Sequence, residues 1–265
     1  RPMTKFIIAG NSHVAALRQG LERLAETATS GIETTSEPNT WTWGEDSVQV
    51  VALGSGRFEL QEFSTSKGGK VSFIGRYAHA FRQQTGATHL DPAVVWAFVN
   101  VANGERVFRQ PMWKVFAPSA LAPTAGRTPL TEAVIRRMLE NDHAPARAFY
   151  ERIKEAGISA VAVEPPRPQS AHHALADDHD RSVALYLDAL TREMWQDWLN
   201  ARSIRYVEPP ASSIGTDGFL KPELRRIGLN PQGKPDTNHG NAKFGSNYIQ
   251  RIVGAMRAEI DMTRA

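Results

Sequence analysis

Short apolar runs alternate along the chain with longer stretches in which apolar residues recur at helical spacing. Continuous apolar runs are typical of strands that are covered on both faces. Such runs predict buried strands at residues 5–9, 48–53, 92–99, 158–166 and 203–210. The helical patterns predict helices over residues 13–27, 131–155, 181–202 and 242–262, and a short helix after Gly75.

Three other stretches lack a single periodicity. Residues 57–74 show short alternating runs around two glycines, which favours a hairpin. Residues 100–128 and 211–241 are rich in proline and glycine and predict long loops. Pro145 favours a break near residues 142–145 in the second long helix.

The order of these elements predicts the architecture. Strands that alternate with helices form a mainly parallel sheet between two helical layers, so we expect a three-layer α/β/α sandwich. No composition shift divides the chain, and residues 1–265 are expected to form a single domain. In such sheets the active crevice lies outside the carboxyl ends of the strands, and Ser12 comes just after the first strand.

Composition narrows the possible functions. The 31 basic and 28 acidic residues give a net charge of only +3, and the basic residues are scattered, so no nucleic-acid or membrane partner is predicted. The sequence has no cysteine, which excludes disulfides and thiolate chemistry. No run approaches the length of a membrane helix. We expect a cytoplasmic protein, with a removed signal peptide as the alternative.

Ser12 lies in the segment Gly10-Asn11-Ser12, between the first strand and the first helix. Serine often caps a helix, so one interpretation is structural. The other is a nucleophile, because the unpaired N–H groups of a helix start stabilise a developing oxyanion. A serine nucleophile needs a base, and Asp236 and His239, three residues apart before the last helix, provide an oriented imidazole.

These two motifs, in this order, resemble those of the SGNH (GDSL-like) hydrolase superfamily, and the similarity spans almost the whole chain. The resemblance implies a flavodoxin-like sandwich and a catalytic triad of Ser12, Asp236 and His239. The family has aspartate at the position of Asn11. Asparagine here removes a negative charge beside the nucleophile. Asn11 and His13 are expected to border the substrate pocket.

The resemblance also implies an oxyanion hole with three donors. The first is the backbone N–H of Ser12. The second is a glycine N–H, for which Gly75 is the better match and Gly54 the competitor. The third is an asparagine side chain after the strand at residues 92–99, where both Asn100 and Asn103 qualify and Asn100 is preferred narrowly.

The function implied is a serine esterase that hydrolyses short-chain acyl esters, with O-acetyl groups on carbohydrate as the favoured substrate. The alternative is an acyltransferase or a non-hydrolytic carbohydrate-binding module on the same scaffold. No cofactor and no metal site are expected. The segment from His172 to Asp180 is interpreted as a polar loop rather than a metal site. Trp41 and Trp43 are expected either to stack on a sugar or to cover the sheet edge.

Overall fold

The computed structural model describes residues 3–27, 29–230 and 233–264. The strands are β1 (Thr4–Asn11), β2 (Ile32–Thr34), β3 (Thr40–Trp43), β4 (Asp46–Gly54), β5 (Ser64–Lys67), β6 (Lys70–Phe73), β7 (Val95–Val99), β8 (Phe116–Pro118), β9 (Thr128–Leu130), β10 (Ala160–Val163) and β11 (Arg205–Val207). The α-helices are α1 (Val14–Ala25), α2 (Gly75–Thr85), α3 (Gly104–Phe108), α4 (Ala122–Ala125), α5 (Glu132–Glu155), α6 (Asp178–Asn200) and α7 (Ala242–Arg264). Short 3₁₀ helices span Gly56–Leu60, Pro111–Lys114, Ala211–Ser213 and Pro222–Leu224.

A seven-stranded sheet in the order β11-β10-β7-β1-β4-β3-β2 forms the centre of the fold. The five strands from β11 to β4 are parallel, as predicted, and β3 and β2 continue the sheet in antiparallel orientation. The chain runs outward from β1 in both directions, to β4 on one side and to β7 on the other. A crevice therefore opens beyond the carboxyl end of β1, where ligands bind in sheets of this kind.

Alternate residues of β1 face two different helical layers. Phe6 and Ile8 pack in a core shared with α1 and α7, whereas Ile7 and Ala9 pack in a core shared with α2 and α5. All four residues are at most 3% exposed. Burial on both faces explains why β1 is a continuous apolar run, and the predicted three-layer α/β/α sandwich is confirmed.

Glycines allow α1 and α7 to pack against each other at unusually short range. A Cβ atom on Gly245 of α7 would overlap the carbonyl group of Ala16 in α1, and a Cβ on Gly20 would overlap the backbone of Gly245. The Ser246 hydroxyl donates to the Gly20 carbonyl oxygen at 3.2 Å across the same contact. The absence of side chains here brings the start of α1 and the start of α7 close together.

Several elements differ from the sequence-based predictions. The helix α5 continues through Pro145, because buried residues on both sides of the proline hold it against the sheet. The segment 100–128 contains α3, β8 and α4 rather than a plain loop. The hairpin is confirmed as β5 and β6, although its first residues form a 3₁₀ helix.

The tryptophans near the sheet edge lie on an antiparallel strand that periodicity did not predict. Trp41 is 3% exposed and belongs to the core, and the Arg257 guanidinium lies 5.5 Å from the centre of the Trp43 ring. These contacts favour the edge-covering interpretation over sugar stacking. Trp195 is in the core, with the partly buried Trp198 packed beside it. Among the described residues, none of the helices combines the length and apolar character that a membrane crossing requires.

The α1–α7 contact gives a matched pair of substitutions. Gly245→Ala should lower the midpoint of thermal unfolding by several degrees, since the added methyl group must push the two helices apart. Gly254→Ala is the control, because a Cβ there meets nothing within 4 Å and alanine favours the helix by up to about 1 kcal/mol. Differential scanning calorimetry measures both. Equal midpoints for the two variants would contradict the packing argument.

Candidate active site

Ser12 lies between the end of β1 and the start of α1, at the carboxyl edge of the sheet. The residue at the cap position of α1 is His13, and it makes no capping hydrogen bond with its side chain. The Asn11 side chain instead accepts from the backbone N–H of His13 at 3.2 Å. The Ser12 hydroxyl is exposed and does not cap the helix, so the capping interpretation does not fit the structure.

A line of hydrogen bonds joins Ser12 to the loop before α7. His239 Nε2 lies 2.8 Å from Ser12 Oγ, and His239 Nδ1 lies 2.9 Å from each carboxylate oxygen of Asp236. The carbonyl oxygen of His239 accepts from the backbone N–H of Arg226 at 2.9 Å and from the Gln169 side chain at 3.0 Å. Hydrogen bonds therefore hold both the imidazole ring and the backbone of His239. This geometry suits an imidazole that removes the serine proton.

The surroundings of Asp236 keep its carboxylate ionised. Burial by itself would raise the pKa of Asp236. The hydrogen bond from His239, the charge of His239 and two backbone N–H groups outweigh burial and lower the pKa to about 2. An ionised carboxylate can hold His239 in the tautomer with a proton on Nδ1.

His13 packs beside the catalytic candidate His239, with ring centroids 5.0 Å apart. Burial, together with repulsion from His239, lowers the pKa of His13 to about 3. His13 is thus neutral near pH 7, and it adds no positive charge next to an imidazolium on His239. Its position fits the predicted role as a pocket residue, together with Asn11, since both line the cleft around Ser12.

The glycine that lines this cleft is Gly56, and neither predicted glycine does so. Gly75 begins α2 after the β5–β6 hairpin, and Gly54 packs near the rings of Phe58 and Tyr77. Gly56 is the first residue of a 3₁₀ helix, where backbone N–H groups have no partner within the helix. A Cβ at Gly56 would lie 3.0 Å from Asn103 Nδ2, so only glycine leaves this amide in place.

Of the two predicted asparagines, Asn103 lines the cleft and Asn100 does not. Asn100 is buried, and its Oδ1 accepts from the Tyr150 hydroxyl at 2.8 Å. Asn103 caps α3, because its Oδ1 accepts from the backbone N–H of Arg106 at 3.4 Å. That bond occupies the oxygen of the amide and leaves Nδ2 as the donor beside Gly56. The narrow preference for Asn100 therefore does not fit the structure.

The turn before Asn103 is strained. Ala102 is fully buried and has φ of 50°, in the left-handed region that non-glycine residues rarely adopt. Such strain costs on the order of 1–3 kcal/mol and tends to occur at functional sites. Here it turns the chain at the end of β7, so that Asn103 rather than Asn100 reaches the cleft.

The cleft around Ser12 has a volume of about 650 Å³. All its lining residues are polar or charged, apart from Gly56, and within the described part of the chain no aliphatic side chain lines it. Arg57 and Arg109 are exposed at the border of the cleft, and Arg109 Nη1 lies 3.5 Å from Glu105 Oε1. The cleft therefore favours polar groups, and none of these lining residues offers an aliphatic side chain to a long acyl chain.

The segment from His172 to Asp180 is not a plain solvated loop. His172 is 2% exposed, and its Nε2 lies 3.5 Å from Oε1 of Glu105, which lines the cleft. Asp177 caps α6, and Asp180 is buried in ion pairs with Lys114 and Arg127. Among the described residues no cluster of histidine and carboxylate side chains is arranged to hold a metal ion.

Sequence reasoning missed Gly56 and Arg106, which line the cleft, and Glu59, which lies buried behind it. The available signal for Gly56 was its place after β4, since β4 pairs with β1 and both end at the same edge of the sheet. Glu59 and Arg106 carried no such signal, because nothing in a local pattern indicates that two charged residues 47 positions apart are both buried.

Comparison with known proteins gives fold similarity at low sequence identity. No protein-family profile and no curated protein matches the sequence. Phospholipase A1 from Streptomyces albidoflavus superposes with a TM-score of 0.51 at 12% identity, over 96% of this chain and 99% of that protein. An extracellular lipase from Streptomyces rimosus superposes with a TM-score of 0.49 at 12% identity, over 95% of this chain and 99% of that protein. A GDSL-like lipase from Bacteroides thetaiotaomicron superposes with a TM-score of 0.46 at 10% identity, over 96% of this chain and 88% of that protein. The chain has the fold of the SGNH (GDSL-like) hydrolase superfamily.

Proposed function

We propose that this protein is a serine esterase that hydrolyses short-chain acyl esters, with O-acetyl groups on carbohydrate as the expected substrates. The observation that carries the proposal is the line of hydrogen bonds from Ser12 through His239 to Asp236. Ser12 and His239 are 227 residues apart in sequence, and they meet at the carboxyl edge of the sheet where such folds bind ligands.

In the proposed reaction, His239 Nε2 takes the proton from Ser12 Oγ as the oxygen attacks the ester carbonyl carbon. Asp236 stabilises the imidazolium and keeps its orientation. The backbone N–H groups of Ser12 and Gly56 and the Nδ2 group of Asn103 receive the oxyanion. His239 then donates its proton to the departing alcohol, which leaves an acyl-enzyme. A water molecule deprotonated by His239 releases the acid and restores Ser12.

The lining of the cleft supports a small acyl group and a polar alcohol. A long acyl chain gains about 0.8 kcal/mol for each methylene that it buries against apolar protein, and the residues that line this cleft include no aliphatic side chain for it to pack against. A sugar hydroxyl, by contrast, finds amide, guanidinium and hydroxyl groups as partners. Ile227 and Leu229 are exposed on the loop that carries His239, but neither lines the cleft.

The triad assignment is tested by Ser12→Ala and His239→Ala. Each variant should lose nearly all turnover of p-nitrophenyl acetate, because the nucleophile or its base is gone. A fluorophosphonate probe should label the wild-type protein and not the Ser12→Ala variant. Substitution of His79, a histidine outside the cleft, by alanine is the control and should leave both readouts unchanged. Undiminished hydrolysis by the two triad variants would exclude the proposal, and an unlabelled wild-type protein would favour a non-hydrolytic module.

The choice of oxyanion donor is tested by Asn103→Ala. Removing one donor typically lowers kcat by about 10²–10³-fold, because the bond to the oxyanion is stronger in the transition state than in the ground state. Asn103→Asp is a second variant, since it keeps the cap of α3 but offers no N–H group. Asn100→Ala should lower stability through the lost bond to Tyr150 and spare kcat. A larger loss of kcat in Asn100→Ala than in Asn103→Ala would reverse the assignment.

The acyl specificity is tested with p-nitrophenyl esters of increasing chain length. The value of kcat/KM should be highest for acetate and fall from butyrate to octanoate, since the residues that line the cleft include no aliphatic side chain to pack against the added methylenes. Acetylated and deacetylated oligosaccharides then test the alcohol, with acetate release as the readout. A maximum at octanoate would contradict the short-acyl proposal and indicate that Ile227 and Leu229 contact the substrate.

A further inference from the structure

Glu59 is a buried carboxylate directly behind the cleft. It is fully buried and does not line the cleft, so it cannot touch a substrate. Its Oε1 accepts from Asn11 Nδ2 at 3.1 Å and from the Tyr77 hydroxyl at 3.0 Å, and its Oε2 accepts from Arg106 Nη1 at 3.5 Å. Glu59 accepts all three of these hydrogen bonds and donates none of them, which is the arrangement that suits an ionised carboxylate.

Arg106 connects this carboxylate to the backbone of Gly56. The Arg106 side chain is 4% exposed, and its Nη1 donates to the carbonyl oxygen of Gly56 at 3.1 Å. Its Nε donates to Asp142 at 2.8 Å, which fixes the other side of the guanidinium. The backbone N–H of the same residue donates to the Asn103 side chain. Arg106 therefore binds both the Gly56 peptide segment and the amide of Asn103.

Three separate chain segments carry the three oxyanion donors, and each has a hydrogen bond to Glu59 or Arg106, the third one to the backbone N–H of Arg106. The end of β1 carries Ser12 and is held through Asn11. The segment after β4 carries Gly56 and is held through its carbonyl oxygen. The start of α3 carries Asn103 and is held through Arg106. No hydrogen bond that the structure describes links these segments to one another without passing through Glu59 or Arg106, apart from those of the sheet itself.

We propose that Glu59, acting through Asn11 and Arg106, is a positioning residue that holds the three oxyanion donors in register for the transition state. This inference rests on the proposed esterase function. The negative charge beside the nucleophile is supplied from position 59, while position 11 contributes an amide whose Oδ1 orients the backbone of His13 and whose Nδ2 binds the carboxylate.

Glu59 carries its full charge, and so its full positioning effect, only at pH values above its raised pKa. Burial raises the pKa of Glu59 to about 7, while the charge of Arg106 and the hydrogen bonds from Asn11 and Tyr77 act in the opposite direction. A carboxylate that is dehydrated in this way holds its donors strongly, since no water competes for them. The substitution Glu59→Gln would keep the shape of the side chain, but it would remove the charge and turn one acceptor into a donor facing Asn11 or Arg106.

The test is a double-mutant cycle on positions 11 and 59. Glu59→Gln should lower kcat for p-nitrophenyl acetate by about 10–100-fold, which is less than the loss of a whole donor, and should leave KM within about two-fold. Asn11→Asp should also lower kcat, because it places two carboxylates against each other. The double variant Asn11→Asp with Glu59→Gln restores one charge and one amide in exchanged positions, and it should recover at least about ten-fold of the lost kcat.

Asp180→Asn is the matched control, since Asp180 is also a buried carboxylate paired with two cations and does not line the cleft. It should lower the midpoint of thermal unfolding without changing kcat. If Glu59→Gln does not fold, Arg106→Lys takes its place, because a single ammonium cannot reach Gly56, Glu59 and Asp142 together; it should show the same loss of kcat at constant KM.

The outcomes separate this inference from the proposed function. A wild-type protein without esterase activity would refute the proposed function. An active wild-type protein with unchanged kcat in Glu59→Gln, or additive losses with no recovery in a folded double variant, would refute the positioning role alone. A loss of kcat at constant KM in Glu59→Gln, with recovery in the double variant, would establish it.

Discussion

The contact between α1 and α7 is the interaction on which the rest of the site depends. Each helix starts a few residues after one half of the triad, Ser12 before α1 and His239 before α7. Because Gly20 and Gly245 have no side chains, the backbones of the two helices are in direct contact there. The two helix starts therefore converge at the carboxyl edge of β1. A hydrogen bond of 2.8 Å between Ser12 and His239 requires that this approach be correct to within a fraction of an ångström.

Charges are distributed in two layers around this contact. In the cleft, the triad carboxylate of Asp236 is bound to His239, and His13 beside it is neutral. Behind the cleft lies the buried carboxylate of Glu59, and the buried side chain of Arg106 at the cleft wall binds both Glu59 and the carbonyl oxygen of Gly56. The layer that would meet a substrate is therefore polar and open, whereas the layer that supports it is dehydrated and fixed by charge-assisted bonds.

The parts of the fold that follow from local patterns could be predicted from the sequence. The strand β1, the helices α1 and α7 and the placement of Ser12 after β1 required only apolar periodicity and strand order. Pairing Ser12 with Asp236 and His239 required the resemblance as well. Gly75 is preferred from the sequence because it precedes a helix and the strand at residues 92–99, and Asn100 because it follows that strand directly. The residues that reach the cleft depend instead on the φ of 50° at Ala102 and on the pairing of β4 with β1. Neither is visible to periodicity, because both are set by long-range contacts.

The separation of Ser12 and His239 in the chain has a consequence for synthesis. In a growing polypeptide Ser12 is added 227 positions before the imidazole that would activate it, and α7 follows later still. A contact of such long range forms slowly and late in folding. Under the proposed function, the Ser12 hydroxyl of a nascent chain therefore lacks its base until α7 docks on α1, and any activity that depends on this pair reports that α7 has reached its place.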